Sequence, residues 1–408
     1  MLKLYISSTE HQTDSMMKDL AETRINKMLP CLKKKVLNFL SLLLLLTQCA
    51  SPGSDTIVAQ QEKELPEPTR FDIMRGVNIS HWLSQSDRRG QERRAWFTEE
   101  DVKFIKDSGF DHIRIPIDEE QMWDEAGQQE AEAFQLLHNA LAWAQKNQLK
   151  AIVDLHILRS HHFNEGDKPL WTDPAAQEQF FECWKQLSAE LKEYPNDQIA
   201  YELMNEPVAD DPNDWNKLVA KGIEVVRENE PERKILVGSN RWQSTETFVD
   251  LTLPANDSNI IVSFHFYTPM ALTHYKASWV ESGKYEGPVQ YPGEVVKEAD
   301  ISALATDLQE TVKNAAGTYN IDSLRNHIIK PINFARERNL QVYCGEWGCL
   351  KTVPKESMLN WYRDVRTILE NNNVAWTIWD YKGSFGIKTG ENLEPDSELI
   401  QLLTGVQM

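Results

Sequence analysis

Between Arg70 and Met408, short apolar runs rich in β-branched residues alternate eight times with segments of helix length, without an internal sequence repeat. Eight such alternations in about 330 residues favour a closed parallel barrel over an open doubly wound sheet. The sequence contains no glycine-rich nucleotide-binding motif, which weakens the open-sheet alternative further. We therefore predict an α/β fold, a single (β/α)8 TIM barrel.

The eight predicted strands share this apolar character and end in polar or aromatic residues. They are Ile73–Ser80, His112–Ile117, Lys150–His156, Ile199–Asn205, Lys234–Ser239, Ile260–Tyr267, Gln341–Glu346 and Ala375–Asp380. Several helices between them have clear start signals, of which Asp173 before Pro174 and Asp211 before Pro212 are examples.

Two of the predicted strands end at a glutamate. Glu206 lies in the Asn-Glu-Pro triplet at 205–207, and Glu346 lies in the Gly-Glu-Trp-Gly run at 345–348. The carboxyl ends of barrel strands meet at one face, where the chemistry of such folds takes place. Two facing carboxyl groups are what glycosidic bond cleavage requires, because one protonates the leaving oxygen while the other attacks or stabilises the anomeric carbon. The pair therefore predicts a glycoside hydrolase.

Other polar residues gather at the same strand ends. Arg114 alternates with apolar neighbours, so it points either into the barrel or toward the helices, and a buried guanidinium needs a carboxylate partner. Asp154 and His156 share a face of the third strand, and His265 and Tyr267 share a face of the sixth, by the period of two. Each signal is weak alone, and their common placement is the main support for an active site.

The connection from Thr268 to Tyr319 is much longer than a barrel loop requires. Its large aromatic residues include Tyr275, Trp279, Tyr285 and Tyr291. The favoured interpretation is a wall of the substrate cleft with aromatic platforms for sugar rings, because loops that follow strands build barrel active sites. The alternative is a packed excursion that buries its own aromatic side chains.

Neither the histidines nor the cysteines indicate a metal site or a cofactor. His156, His161 and His162 are close in sequence, but no acidic ligand stands at zinc-motif spacing. Cys344 and Cys349 have no histidine or cysteine companions, and the five cysteines of the chain do not form a disulfide pattern. We expect no metal and no cofactor.

The acidic balance of the chain limits its partners. Its formal net charge is −19 at pH 7, whereas nucleic-acid binding depends on clustered Lys and Arg. A neutral polymer such as a glycan fits better, and we expect no nucleic-acid partner.

The N-terminal region looks like an export signal. Three lysines at 33–35 precede the apolar run 36–46, which is too short to span a bilayer, and Cys49 follows as in a bacterial lipoprotein box. Gln48 departs from the small residue expected before that cysteine, so plain secretion stays an alternative. Signals rarely begin so far into a chain, and Met28 is therefore a candidate for the true first residue.

The predicted organisation has three parts. Residues 1–48 form an N-terminal extension with the secretory or lipoprotein signal, and residues 49–69 form a flexible linker rich in Ser, Pro, Gln and Glu. Residues 70–408 form the catalytic barrel. We expect a monomer, secreted or held on the outer surface or in the periplasm of a bacterium, and touching a membrane only through a lipid at Cys49.

Residues 70–405 resemble glycoside hydrolase family 5, the cellulase-like retaining enzymes of clan A, strand by strand. The resemblance implies that Glu206 is the acid/base and Glu346 the nucleophile. It also implies that Arg114 lies beside the nucleophile and keeps it ionised, while Tyr267 donates a hydrogen bond to it. Asn205 would hold the sugar 2-hydroxyl, where contacts strengthen in the transition state.

By the same resemblance His156 binds the sugar being cleaved, His265 orients the acid/base side of the site, and Trp379 forms a stacking floor. A cis peptide bond is expected at Trp379–Asp380. Trp82 follows the first strand and Trp242 the fifth, so both are candidates to stack on neighbouring sugars.

The expected activity is retaining hydrolysis of β-glycosidic bonds, foremost as an endo-β-1,4-glucanase acting on a β-glucan. Mannan and β-1,3-glucan are alternative substrates, since the implied catalytic set is common to these specificities. A non-catalytic glycan-binding barrel is a further alternative, because fold does not determine function.

Overall fold

Eight parallel strands form a closed barrel in the computed structural model, which describes residues 70–407. The strands are β1 (Arg75–Asn78), β2 (His112–Asp118), β3 (Lys150–Ile157), β4 (Ile199–Glu202), β5 (Ile235–Gly238), β6 (Ile260–Phe266), β7 (Gln341–Trp347) and β8 (Ala375–Ile378). Neighbours follow chain order, and β8 closes the barrel by pairing with β1. The predicted (β/α)8 barrel is confirmed.

Helices separate the strands; the longer ones cover the outside of the barrel, and short ones such as Asn240–Gln243 lie at its mouth. Their bounds are Gly90–Trp96, Glu99–Asp107, Glu119–Met122, Ala131–Lys146, Pro174–Leu191, Pro212–Arg227, Asn240–Gln243, Met270–Thr273, Glu298–Ser302, Thr306–Ala315, Ile321–Arg336, Lys355–Asn371 and Ser397–Thr404. Both predicted aspartate caps are present: Asp173 accepts the backbone N–H of Ala175 at 2.9 Å, and Asp211 accepts that of Asn213 at 2.9 Å.

Within residues 70–407, no helix combines the length and the apolar character needed to cross a membrane. The predicted export signal, the linker and Cys49 lie outside the described residues.

The barrel interior is layered from an apolar base to a polar mouth. Its base is a cluster of buried side chains from the strands and the segment before β1: Phe71, Ile73, Ile152, Ala200, Leu236, Ile261, Tyr343 and Ala375. Above it His112 Nε2 lies 3.1 Å from the hydroxyl of Tyr343 and 2.9 Å from that of Thr377. Arg114, two residues further along β2, also points into the barrel rather than toward the helices.

The strand that leads to Glu206 is shorter than predicted. Regular pairing in β4 ends at Glu202 rather than Asn205, although the Asn205 backbone N–H still donates to the Leu155 carbonyl at 3.1 Å. Glu206 has a φ of 45°, a left-handed conformation that residues other than glycine adopt rarely. The chain is therefore irregular at this strand end, where Asn205 and Glu206 are adjacent.

The long connection after β6 contains short helices and a two-stranded ribbon, in which Gly293–Glu294 pairs with Thr318–Tyr319. Both interpretations of its aromatic residues are correct in part. Tyr275, Tyr285 and Tyr291 are buried, whereas the Trp279 side chain is 52% exposed and lines the cleft described below.

Candidate active site

A cleft of about 1140 Å³ opens at the carboxyl ends of the strands. This size suits an oligomeric ligand, since small-molecule sites are generally smaller. It brings together most of the residues singled out from the sequence, with these among its lining: His156, Glu206, Trp242, His265, Tyr267, Glu346 and Trp379. Arg114 and Asn205 lie directly beneath them and are fully buried.

Arg114 joins three carboxylates at the base of the cleft. Its Nε lies 2.7 Å from Glu202, and its two terminal nitrogens lie 2.9 Å from Glu346 and 3.0 Å from Asp154. Burial lowers the pKa of Arg114, but the three carboxylates raise it by more, so the guanidinium stays charged. The sequence indicated that a buried Arg114 would need a carboxylate partner, and the structure gives it three.

Glu346 is held at both carboxylate oxygens. Oε1 accepts from Arg114 at 2.9 Å, and Oε2 accepts from the Tyr267 hydroxyl at 3.0 Å. Burial raises the pKa of Glu346 above its ordinary value, and the Arg114 cation and the Tyr267 hydrogen bond offset part of that rise, so the pKa is raised less than that of Glu206. The group is therefore fixed in orientation and has two interactions that favour its ionised form, as a nucleophile requires.

Glu206 faces Glu346, and its surroundings favour the protonated form of its carboxyl group. Its carboxyl lies 2.8 Å from Nδ1 of His265, and its backbone N–H donates to the Gln243 side chain at 2.9 Å. Burial raises the pKa of Glu206 well above its ordinary value, and the charge of Glu346 raises it further. Burial also lowers the pKa of His265, so its ring is neutral near pH 7. A proton between the two glutamates is consequently held on Glu206, as a general acid requires.

The separation of the two carboxyl groups indicates the stereochemistry they support. One oxygen of each, together with a His265 ring nitrogen, all lie within 4.8 Å of one another. Inverting glycosidases need about 6.5–9.5 Å so that a water fits between the carboxyls, and retaining ones need about 5–5.5 Å. Carboxyl oxygens that approach within 4.8 Å leave too little room for that water, which favours the retaining geometry.

The same trio is the one group in the described part of the chain that offers three clustered metal ligands. Arg114 is already a cation beside Glu346, and a second cation there would be repelled. The histidines considered from the sequence do not converge as ligands. His161 Nε2 instead accepts the backbone N–H of Val208 at 3.1 Å.

Two further groups present hydrogen-bonding atoms to a ligand. His156 Nδ1 lies 2.7 Å from Asp154, and its ring stacks on Trp379 with centroids 5.6 Å apart and planes at 6°. Burial lowers the pKa of His156 to about 3, so the ring is neutral and its Nε2 is left to accept from a sugar hydroxyl. Asn205 accepts from Arg114 through Oδ1, while its Nδ2 has no partner among the described residues.

The cellulase family model, described as glycosyl hydrolase family 5, matches residues 71–384. The chain belongs to glycosyl hydrolase family 5. It is 30% identical over 342 residues to Endoglucanase C of Acetivibrio thermocellus, covering 80% of this chain and 97% of that protein. It is 27% identical to Cellodextrinase A of Ruminococcus flavefaciens, covering 74% of this chain and 84% of that one.

A solved structure of a hyperthermophilic endo-β-1,4-glucanase in complex with substrate is similar throughout the barrel. It superposes with a TM-score of 0.67 at 25% identity and covers 82% of this chain and 97% of that chain. This family 5 chain is accordingly a glycoside hydrolase. The cis peptide bond expected of the family at Trp379–Asp380 is present.

The two tryptophans proposed to stack on neighbouring sugars have different positions in the family 5 barrel. Trp82 does not reach the cleft: it is fully buried, donates to the Arg93 carbonyl at 2.8 Å, and packs against Phe97. Its prediction as a binding residue is wrong, because the chain after β1 turns this side chain into the core. Trp242 is 44% exposed in the cleft, with its Nε1 anchored to the Phe163 carbonyl at 3.1 Å.

Sequence reasoning missed several groups that support the family 5 site. Glu202 bonds Arg114 and also accepts from Gln243 at 2.9 Å and from the Ser263 hydroxyl at 3.1 Å. Asn78 accepts from Arg114 at 2.9 Å. A carboxylate inside an otherwise apolar strand was the available signal for Glu202, because a buried charge requires a partner.

Proposed function

We propose that this glycoside hydrolase is a retaining endo-β-1,4-glucanase in which Glu346 is the nucleophile and Glu206 the acid/base. The observation that carries the proposal is the pair itself. Glu346 is fixed by Arg114 and Tyr267, and it faces a carboxyl group whose surroundings favour the protonated form. The endoglucanase names of the relatives support a β-1,4-glucan as substrate.

In the first step a Glu346 oxygen attacks the anomeric carbon and the glycosidic bond breaks, while Glu206 gives its proton to the departing oxygen. The sugar is then esterified to Glu346. In the second step Glu206, now a carboxylate, takes a proton from water as that water attacks the same carbon. Glu346 leaves as a carboxylate, and two displacements restore the original anomeric configuration.

The surrounding groups assist by binding charge and hydroxyls. Arg114 and Tyr267 hold the nucleophile in place and stabilise it when it is released as an anion. The unpartnered Asn205 Nδ2 is available to donate to the 2-hydroxyl of the sugar undergoing attack, and His156 Nε2 is available to accept from another hydroxyl. Trp379 supplies an apolar face beneath that ring.

Proton NMR of the first-formed product tests the proposal directly. A retaining enzyme releases the β-anomer from a β-linked glucan before mutarotation. An initial α-anomer would mean inversion and would overturn the assignment of roles.

The preferred polysaccharide is tested by release of reducing sugar from carboxymethylcellulose, barley β-glucan, laminarin, mannan and xylan. We expect the two glucans with β-1,4 bonds to be cut fastest, with viscosity falling early because cuts are internal. Highest activity on mannan or laminarin would replace the proposed specificity by one of the alternatives. No release from any polymer, with intact folding, would favour a non-catalytic binding protein.

We also propose export and acylation at Cys49, supported by the lysines at 33–35 and the apolar run that follows. Incorporation of a labelled fatty acid in a bacterial host tests this, since Cys49→Ala should remove the label. Equal labelling of the variant would contradict the lipoprotein proposal.

A monomer is proposed on the distribution of exposed apolar side chains. Of the large exposed ones within residues 70–407, Trp242, Met270 and Trp279 line the cleft and Val249 lies elsewhere. Stable subunit interfaces need a more extensive apolar patch. Light scattering of the purified protein would show a dimer mass if this proposal were wrong.

A further inference from the structure

Gln243 is a fully buried amide between the two halves of the active site, and the mechanism above gives it no role. It ends the short helix Asn240–Gln243 that follows β5. Its Oε1 accepts the backbone N–H of Glu206 at 2.9 Å, and its Nε2 donates to Glu202 at 2.9 Å and to the Ser263 hydroxyl at 3.1 Å. The side chain therefore joins the segment that carries the acid/base to the carboxylate that binds Arg114.

The partners of Gln243 require both a donor and an acceptor from it. The backbone N–H of Glu206 can only donate, and a carboxylate such as Glu202 accepts. An amide satisfies both without adding a charge. An apolar side chain of the same length would leave the buried N–H of Glu206 without this acceptor, and unmet hydrogen bonds are costly in a buried site.

The segment 205–209, which follows β4 and carries Glu206, takes its backbone hydrogen bonds from other parts of the barrel mouth. Pro207 has no N–H to donate. The remaining four N–H groups, in chain order, donate to the Leu155 carbonyl and to the side chains of Gln243, His161 and Asn240. Of these bonds, the one to Gln243 is made by the acid/base residue itself. It holds a residue whose φ is 45°, a conformation that a side chain with a β-carbon does not favour.

The backbone that presents Gln243 is itself strained. Arg241, Trp242 and Gln243 have φ of 57°, 62° and 52°, all in the left-handed region. Such conformations persist only where the surroundings hold them, and they gather at functional sites. β5 also leaves room for the side chain, because a β-carbon on Gly238 would lie 2.2 Å from Cγ of Gln243. The turn after β5 is thus built around the position of this amide.

We propose that Gln243 is a positioning residue for the acid/base. By accepting the backbone N–H of Glu206 it holds that residue in the left-handed conformation that directs its carboxyl group at the glycosidic oxygen. Gln243 is fully buried, so it acts through Glu206 and not on the substrate. The inference rests on the proposed retaining function and deepens it, because it assigns Gln243 to the two proton transfers and not to the attack by Glu346.

The test uses two substrates that depend differently on Glu206. Phenyl β-cellobioside has a leaving group that needs a proton, whereas dinitrophenyl β-cellobioside has one that does not. For both, kcat/KM reports formation of the glycosyl-enzyme. Gln243→Met keeps a similar length and removes the amide. We expect it to lower kcat/KM on the phenyl substrate about ten-fold, the value of roughly one hydrogen bond, and to leave kcat/KM on the dinitrophenyl substrate near that of the parent.

Deglycosylation provides a second readout, because Glu206 is the base in that step. On dinitrophenyl β-cellobioside, kcat and KM of Gln243→Met should fall together, since the glycosyl-enzyme accumulates when water is activated poorly. Added azide should raise this kcat again. Gln243→Glu keeps an oxygen that can accept the Glu206 N–H, so it should recover part of the lost kcat/KM on the phenyl substrate.

Ser263 supplies a matched control. Its hydroxyl is also buried and bonds the same Gln243 nitrogen and the same Glu202 oxygen, each at 3.1 Å, but neither of these bonds involves Glu206. Ser263→Ala should therefore keep the ratio of kcat/KM values, dinitrophenyl over phenyl, as in the parent.

The outcomes separate the two proposals. An unchanged ratio in Gln243→Met, whether both values fall equally or neither falls, would overturn the role of Gln243 while leaving the glucanase function intact. An equal change of the ratio in Ser263→Ala would do the same. A parent protein that cleaves neither cellobioside nor any polysaccharide would refute the proposed function itself. Far-UV circular dichroism establishes that each variant is folded. If Gln243→Met is not, Gln243→Asn takes its place, because its shorter amide cannot span Glu206 and Glu202.

Discussion

Arg114 carries its positive charge inside a barrel that excludes water, and it is stable there because three carboxylates and two asparagine oxygens surround it. The arrangement has a catalytic consequence. The same cation lowers the pKa of Glu346, whereas burial and the charge of Glu346 raise that of Glu206. One proton shared by the pair is thereby placed on the residue that must donate it.

We expect replacement of Glu346 and replacement of Glu206 to impair turnover at different steps. Glu346→Ala should lower kcat at least ~10⁴-fold on every substrate, because no other group supplies the covalent step. Glu206→Ala should still form the glycosyl-enzyme from a dinitrophenyl glycoside, whose leaving group needs no proton, and then stall. Added azide should restore turnover of Glu206→Ala by attacking in place of activated water. Azide attack on the glycosyl-enzyme of Glu206→Ala should give a β-glycosyl azide after two displacements, and an α-glycosyl azide from that variant would reverse the assigned roles.

The Tyr267 hydroxyl stabilises ionised Glu346, so removing it should move the pH profile. Activity requires Glu346 ionised and Glu206 protonated, which gives a bell-shaped profile. Tyr267 lowers the pKa of Glu346, so in Tyr267→Phe that pKa rises and the acidic limb of kcat/KM shifts to higher pH. The maximum should also fall by roughly 10- to 100-fold, the value of a hydrogen bond to a charged group. An acidic limb that stays in place would contradict the role of Tyr267.

The elements that carry the two glutamates end in different ways. β4 stops before Glu206, which lies on an irregular segment, whereas β7 continues through Glu346. β7 also contains an extra residue, because Phe264 pairs with Cys344 and His265 with Glu346, which leaves Gly345 outside the register. Tyr343 points into the barrel, so strict alternation would direct Glu346 toward the helices. The bulge at Gly345 restores its inward direction.

The end of β7 also needs a glycine at position 348. A β-carbon there would lie 2.4 Å from the carbonyl oxygen of Trp379 and 3.1 Å from the Phe385 ring. We expect Gly348→Ala to reduce the free energy of unfolding by about 1–3 kcal/mol through overpacking, and to lower activity by displacing Trp379. Urea denaturation measures the first effect. Unchanged stability would show that the backbone of Trp379 moves aside freely.

At the scale of the whole molecule, the barrel mouth gathers every charged and hydrogen-bonding group that the proposed mechanism uses. We therefore expect the chemistry to depend on protein charges alone. We expect dialysis against EDTA to leave kcat and KM unchanged, because Arg114 performs the charge stabilisation that a cation would otherwise supply. Loss of activity in EDTA that zinc restores would contradict this and favour a metal held by Glu206, His265 and Glu346.

The sequence was sufficient to predict the barrel and the location of its chemistry. Eight alternations of strand and helix permit few topologies, and the carboxyl ends of parallel strands converge whatever the loops do. Glu206 and Glu346 could be paired for that reason, although they are far apart in the chain. The aspartate caps at Asp173 and Asp211 were also predictable, because a cap depends only on neighbours in sequence.

Only the tertiary structure decided which side chains reach the cleft and which partners they have. Trp82 and Trp242 both follow strands, yet one is packed in the core and the other lies in the cleft, because burial depends on what other segments place over a residue. The links from Arg114 to Glu202 and from Tyr267 to Glu346 join residues far apart in the chain. Such contacts are made by the closure of the barrel, which no local pattern of residues records.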